Sequence, residues 1–249
     1  MIPHIIHYVW IGGAPLPELA ERCIASWRKY MPDWQMMRWN ETSFDIAAAP
    51  LYVRQAYEAR KFAFVSDYVR LWALEQYGGV YLDTDVEVLR SYEPLLNDTV
   101  FIGFEESKKH LPGTCTIGCE PHCQWVRDML ALYEKIEFIN PDGSYDMTTN
   151  VERLGSVMMN ELRNEGVKEE KYWQHVQYIN KWGLRVYTHD YFSPITSTRV
   201  MRKSANTYSI HYFEGSWRDD KHSGGWRNWT ITREIINALV QIKRKIIPI

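Results

Sequence analysis

Apolar runs and polar breaks alternate along the chain in a β-α rhythm. Residues 5–10 form a nearly continuous apolar run closed by a tryptophan. That pattern suits a strand buried on both faces of a parallel sheet. The glycine- and proline-bearing stretch 12–17 reads as a loop. Leu19, Cys23, Ile24 and Trp27 recur at helical spacing within residues 19–30. A second strand is predicted over residues 34–39, helices over 52–60 and 62–77, a short central strand over 80–82, and an extended continuation over 86–89. Further strands are expected at 100–104, 184–187 and 208–212, with helices at 125–133 and 155–163. This alternation predicts an α/β fold: one mostly parallel sheet with helices on both faces, in a single domain. No internal repeat, low-complexity stretch or linker divides the chain.

The densest chemistry lies in Tyr77-Gly78-Gly79-Val80-Tyr81-Leu82-Asp83-Thr84-Asp85. A helix stops at a glycine pair, with Gly78 at the position where a left-handed residue closes a helix. A short strand then delivers two carboxylates two residues apart, which a strand turns to the same side. Two such groups repel unless a cation sits between them. Hard divalent ions prefer oxygen ligands, often one or two carboxylates plus substrate phosphates. The segment therefore reads as a metal–diphosphate site at the carboxyl end of a strand, where open α/β sheets bind ligands. Upstream, Asp67 and Arg70 share one helical face. They make either a surface ion pair or a carboxylate for sugar hydroxyls beside a guanidinium for phosphate or sugar oxygens.

Composition narrows the classes. The chain has 249 residues, 45% of them hydrophobic, enough for one core. Its formal net charge of −2 argues against a nucleic-acid partner. The 11 Trp and 16 Tyr either fill the core or offer flat surfaces to carbohydrate. No apolar run reaches transmembrane length, and the opening Met1-Ile2-Pro3-His4 lacks signal-peptide character, so a cytoplasmic location is expected. Cys115, Cys119 and Cys123, with His110 and His122 nearby, invite a zinc reading. Structural zinc sites more often pair C-x₂₋₄-C units, and Pro121 interrupts the run, so buried thiols are expected.

The motifs also carry a resemblance. Ser66-Asp67-Tyr68-x-Arg70 followed by the Asp83-Thr84-Asp85 segment resembles the sugar-nucleotide-binding DXD region of glycosyltransferases. The match is to the capsular-polysaccharide and Och1-like mannosyltransferase family, related to the catalytic domains of the large clostridial glucosylating toxins. The opening Ile2-Pro3-His4-Ile5-Ile6-His7-Tyr8-Val9-Trp10-Ile11-Gly12-Gly13 resembles that family's first strand and nucleotide loop. His211-Tyr212-Phe213-Glu214-Gly215-Ser216-Trp217 resembles its C-terminal element, with Tyr212 where a second His is frequent.

The resemblance implies a GT-A fold, a nucleoside-diphosphate sugar donor with UDP favoured over GDP, Mn²⁺ or Mg²⁺, and retention of configuration. It implies a hexose or N-acetylhexosamine passed to a glycan or lipid-linked acceptor, in bacterial surface-polysaccharide synthesis. On this mapping Trp10 stacks on the base and Asn40 bonds base or ribose. Ser66, Asp67 and Arg70 contact the donor. Tyr81 sits near ribose or phosphate, Asp83 touches ribose and metal, and Asp85 ligates the metal. His211, Glu214 and Ser216 compete to complete the metal shell, and Ser216 and Trp217 meet the diphosphate. Asp146 and Asn150 are placed between donor and acceptor. Residues 218–225 read as a loop closing over the donor or as ordinary surface. Residues 230–249, beyond a domain spanning 1–229, read as a basic amphipathic helix. It either touches the inner face of a membrane or packs on the domain. Two other classes remain in play: a metal-dependent phosphodiesterase or nucleotidyltransferase, and a non-catalytic carbohydrate-binding module.

Overall fold

The apolar runs fold into two sheets and the helices that cover them. The computed structural model describes residues 1–106, 111–168, 172–196 and 198–215. Its strands are β1 (Ile5–Val9), β2 (Gln35–Trp39), β3 (Gly79–Leu82), β4 (Val86–Val88), β5 (Val100–Phe104), β6 (Pro112–Cys119), β7 (Gln177–Ile179), β8 (Leu184–Tyr187) and β9 (Ser209–His211). Its α-helices are α1 (Glu18–Tyr30), α2 (Leu51–Glu58), α3 (Phe62–Tyr77), α4 (Gln124–Tyr133), α5 (Asn150–Asn164) and α6 (His189–Phe192).

Seven strands form the main sheet in the order β2-β1-β3-β6-β5-β8-β7, and β4 pairs with β9 in a small second sheet. β1 runs parallel to β2 and β3, and β5 runs parallel to β8. β6 is antiparallel to both β3 and β5, and β7 is antiparallel to β8. Thus β1, β2, β3, β5 and β8 share one direction, and the expected mostly parallel sheet holds. Val9, Tyr81 and Ile102 face a core built with α2, α3, α4 and α5. Ile6, Val80, Leu82 and Phe101 face a second core under α1, α6 and the β4–β9 ribbon. Alternate side chains of one strand serve opposite layers.

The ribbon matters because it carries half of the site. Fully buried Trp27 of α1 donates from Nε1 to the Val86 carbonyl at 2.7 Å. Ser26 Oγ accepts from Val88 N–H at 2.9 Å. These contacts fix β4 just past the two carboxylates.

Sequence reading missed β6. Its Pro-Gly-Thr-Cys-Thr-Ile-Gly-Cys composition is low in bulky apolar groups, yet all eight residues are buried. Small side chains are required there: a Cβ at Gly118 would lie 2.1 Å from the Phe101 ring. Helix α5 begins five residues before the expected start, because Thr149 caps it, its Oγ1 accepting from Glu152 N–H at 3.3 Å. The proposed boundary at 229/230, the loop 218–225 and the tail lie outside the described residues. No described helix is long and apolar enough to cross a membrane.

Candidate active site

The site begins with a buried histidine and a glycine pair. Trp39 Nε1–H donates to His7 Nδ1 at 3.1 Å, so Nε2 carries the ring proton and donates to the Gly78 carbonyl at 2.7 Å. Gly78 has positive φ (61°) as expected, but its ψ of −163° sends the chain straight into β3 instead of forming a left-handed cap. Only glycine occupies that region readily. A Cβ at Gly79 (φ +100°) would meet the Ile5 carbonyl at 2.6 Å. The pair therefore lets β3 lie hard against β1.

Strand β3 ends at Leu82, so Asp83 and Asp85 occupy a turn and not consecutive positions on one strand face. Val86 N–H closes that turn on the Asp83 carbonyl at 3.0 Å. The turn still brings the two carboxylates together. An oxygen of each lies within 4.8 Å of a His211 ring nitrogen and of the other.

Behind Asp83 lies Arg70, held from several sides. Its Nη2 donates to Asp67 Oδ1 at 2.8 Å and to Ser66 Oγ at 3.2 Å. Its Nη1 donates to the Thr114 carbonyl at 2.8 Å and lies 3.2 Å from Asp83 Oδ1. The guanidinium carbon sits 4.6 Å from the Tyr81 ring centre. Arg70 is 5% exposed and Asp67 9%, so the surface-pair alternative fails. Burial pushes the Asp67 carboxyl up to about 6, against the pull of Arg70. The β5–β6 register breaks between Ile102 and Gly103, leaving Thr114, Cys115 and Thr116 as a bulge. The bulge offers the Thr114 carbonyl to Arg70 and the Cys115 carbonyl to Asp83 N–H at 2.9 Å. Bulges beside functional sites re-aim groups in this way.

The β4–β9 ribbon supplies the other wall. Val86 pairs with His211, which brings His211 Nε2 to 3.5 Å from Asp85 Oδ1. Glu214 is exposed; its backbone N–H, not its carboxylate, meets Asp85 Oδ2 at 2.8 Å. Burial opposes ionisation of Asp85, but His211 and the Glu214 N–H outweigh it and hold the carboxyl below its ordinary range. Burial raises the Asp83 carboxyl against the pull of Arg70, and Asp85 adds to the rise. Two carboxylates and an imidazole whose ligand atoms lie within 4.8 Å of one another are a fitting donor set for a divalent cation such as Mn²⁺ or Mg²⁺.

These groups line a cleft of about 1010 Å³ at the carboxyl ends of β1 and β3. Trp10, Ser66, Asp67, Arg70, Tyr81, Asp83, Asp85, Asn150, His211 and Glu214 all border it. Asn40 does not. Its Oδ1 accepts from Thr42 N–H at 3.0 Å and from Thr42 Oγ1 at 2.8 Å, so the side chain is spent in its own turn. Trp10 Nε1 donates to the Ala14 carbonyl at 2.7 Å, leaving its ring at the cleft edge. Tyr81 is nearly buried and its hydroxyl donates to Asp83 Oδ1 at 2.6 Å, bracing that carboxylate. Asn150 is 2% exposed; its N–H donates to Asp67 Oδ2 at 3.3 Å and its Nδ2 to the Asp67 carbonyl at 3.4 Å. It braces Asp67 from the cleft wall. Asp146 pairs with Arg153 and caps Thr148, away from the cleft. Ser216 and Trp217 lie outside the described residues. Glu105, Thr114 and Cys115 also line the cleft and were missed. No sequence motif marks them; the Thr149-x-x-Glu152 capping signal, which the sequence reading passed over, is what could have marked the helix start at Asn150.

Residues 17–102 match the family described as "Glycosyltransferase sugar-binding region containing DXD motif". Two curated proteins of Schizosaccharomyces pombe are similar in sequence. Inositol phosphoceramide mannosyltransferase 1 is 30% identical over 127 residues, which is 47% of this chain and 36% of the relative. Inositol phosphoceramide mannosyltransferase 3 is 31% identical over 103 residues, 39% of this chain and 28% of the relative. The chain thus spans about a third of the length of these curated relatives. Among solved structures, PaToxG Glycosyltransferase superposes with a TM-score of 0.53 over 70% of this chain and 75% of its own, at 16% identity, a likeness of fold. The chain has a GT-A fold, and its residues 17–102 are similar to the glycosyltransferase sugar-binding region that contains the DXD motif.

Proposed function

We propose that this chain is a metal-dependent, retaining hexosyltransferase that takes its sugar from a nucleoside diphosphate and passes it to a glycan or glycolipid hydroxyl. One observation carries this reading: Asp83, Asp85 and His211 converge on the floor of a cleft large enough for a nucleotide sugar. Likeness to inositol phosphoceramide mannosyltransferases favours a mannosyl donor and a lipid-borne acceptor; GDP, the second nucleotide that the family resemblance implies, would carry that sugar. A UDP-hexose, the expectation from the sequence, is the competing donor.

Asp83, Asp85 and His211 would hold the divalent cation, which when bound offsets charge gathering on the departing diphosphate. The protein's own groups do the rest. Trp10 offers a ring to the base at the cleft edge. Arg60, Lys61 and Arg199 line the cleft and supply positive charge for a dianionic phosphate. Asp67, fixed by Arg70 and Asn150, accepts sugar hydroxyl protons without reorganising. The bond from the anomeric carbon to the phosphate oxygen breaks and leaves an oxocarbenium-like centre. The acceptor oxygen attacks the same face, and its proton passes to the departing phosphate oxygen.

A panel of GDP- and UDP-sugars with Mn²⁺, reading free nucleotide, tests the proposal. Selective release from one donor, abolished by chelation, is expected. Absence of release and of calorimetric binding for every donor would overturn it in favour of a binding module.

A further inference from the structure

A second set of ligand atoms lies in the cleft wall on the other side of His211. Glu105 follows β5, Cys115 sits in the β6 bulge, and His211 ends β9. A carboxylate oxygen, a thiol sulfur and an imidazole nitrogen from these three lie within 4.8 Å of one another. The residues are 7%, 4% and 9% exposed, yet all border the cleft, so a solvent ion can reach them.

His211 Nδ1 and Glu105 Oε1 stand 3.3 Å apart, but neither makes a hydrogen bond of proper geometry, and both are buried. A buried polar atom left so is destabilising unless something supplies the missing partner. The carboxylate's berth is built for it: a Cβ at Gly113 would lie 2.3 Å from Glu105 Oε1. The Cys115 sulfur has weak neighbours, Ser193 Oγ at 3.5 Å and Thr116 Oγ1 at 3.9 Å.

We propose that Glu105, Cys115 and His211 form a binding site for a thiophilic divalent cation of the zinc type, distinct from the oxygen-rich Asp83–Asp85 pair. Three protein ligands of mixed O, S and N character with an open fourth position are a zinc pattern, whereas a thiolate is a poor ligand for Mg²⁺. Tetrahedral bonds of about 2.0–2.3 Å put ligand atoms roughly 3.3–3.8 Å apart. The 3.3 Å separation of His211 Nδ1 and Glu105 Oε1 fits. Binding forms the metal–sulfur bond and releases the Cys115 thiol proton to water. His211 turns Nδ1 to this cation and keeps Nε2–H for Asp85 Oδ1, 3.5 Å away, in a carboxylate–histidine–metal arrangement. A neutral ring has one free lone pair, so the two sites compete for His211. That last consequence rests on the proposed role of His211 at the DXD site; the binding itself does not.

Cobalt(II), added to the full chain stripped by a chelator, is the probe. It shows a thiolate-to-cobalt charge-transfer band only where sulfur ligates, and the Asp83–Asp85 group has no sulfur. The wild-type protein is expected to show the band and to lose it when Zn²⁺ is added. Cys115→Ser and Cys115→Ala lose it, and Cys119→Ser keeps it. Glu105→Gln weakens cobalt binding by more than roughly tenfold, at least the cost of losing an outer-shell partner. No thiolate band in the saturated wild type, or an undiminished band in the Cys115 variants, would overturn the proposal. Neither result depends on donor turnover, so it is separable from failure of the transferase reading.

Discussion

Replacing His7 with glutamine removes the anchor of the DXD strand and changes how stability responds to acid. His7 is fully buried, accepts from Trp39 Nε1–H at Nδ1 and donates from Nε2 to Gly78. A second ring proton on Nδ1 would point at another N–H, inside the protein. Burial is the main cause that brings its pKa from 6.5 down to about 4, and the Gly78 hydrogen bond opposes it in part. The folded value lies below the unfolded one. The stabilisation from keeping the ring neutral is therefore complete above about pH 6.5 and drains away as pH falls towards about 4, because the unfolded chain takes up a proton first. At about 1.4 kcal/mol per pH unit, that window is worth roughly 3 kcal/mol. Asp67, raised to about 6, shifts stability the opposite way in the acid range, but it does so in both proteins and cancels in their difference. Urea unfolding of wild type and His7→Gln at about pH 7.5 and about pH 4.5 reads the effect. The variant is less stable at the higher pH, and its stability falls by roughly 2 to 3 kcal/mol less on acidification. Parallel pH profiles for the two proteins would refute the argument that a neutral, buried His7 holds the Gly78 turn.

Arg70→Met leaves the buried Asp67 and the half-buried Asp83 without their partner, and should cost about 3–5 kcal/mol in denaturant unfolding; Arg70→Lys should not restore it, since a point charge cannot reproduce the fork. A methionine variant as stable as wild type would contradict the buried-network account. Gly79→Ala drives a Cβ to 2.6 Å from the Ile5 carbonyl at positive φ, and should lower the denaturant midpoint by more than about 1 kcal/mol of stability. Asn150→Ala removes the side-chain amide contact to the Asp67 backbone and should lower kcat by up to about a hundredfold while KM moves little, as misplaced contact groups do. An unchanged kcat would show that Asn150 does not position Asp67.

Much of this architecture is legible in the sequence where hydrophobic pattern alone decides. Helix α3 and strands β5 and β8 fall on their expected residues, because continuous apolar runs bounded by turns admit one reading. The glycine pair and the two aspartates announce the site, and the cleft gathers most of the residues assigned to it. What was hidden depends on long-range packing. Strand β6 is built from small residues whose burial is imposed by Phe101 and by its neighbours β3 and β5, so no local pattern marks it. Its bulge brings Thr114 and Cys115 to Arg70 and Asp83 from a distant part of the chain. Cys115, Cys119 and Cys123 look like one run, yet Cys115 faces the layer of α1 while Cys119 and Cys123 face the layer of α3 and α4. Asn40 looked well placed after a strand, but an Asx turn takes its side chain. Periodicity carries no information on such tertiary choices.

On the proposed mechanism the Asp83–Asp85–His211 group holds a nucleoside diphosphate through a divalent cation. Calorimetric titration of GDP and of UDP into the wild type and Asp85→Asn, each with Mn²⁺ and with chelator, tests it most directly. One diphosphate is expected to bind the wild type with Mn²⁺, and that binding to be lost both on chelation and in the variant, whose thermal unfolding stays cooperative. Equal affinity with and without metal, or undiminished binding by Asp85→Asn, would contradict it.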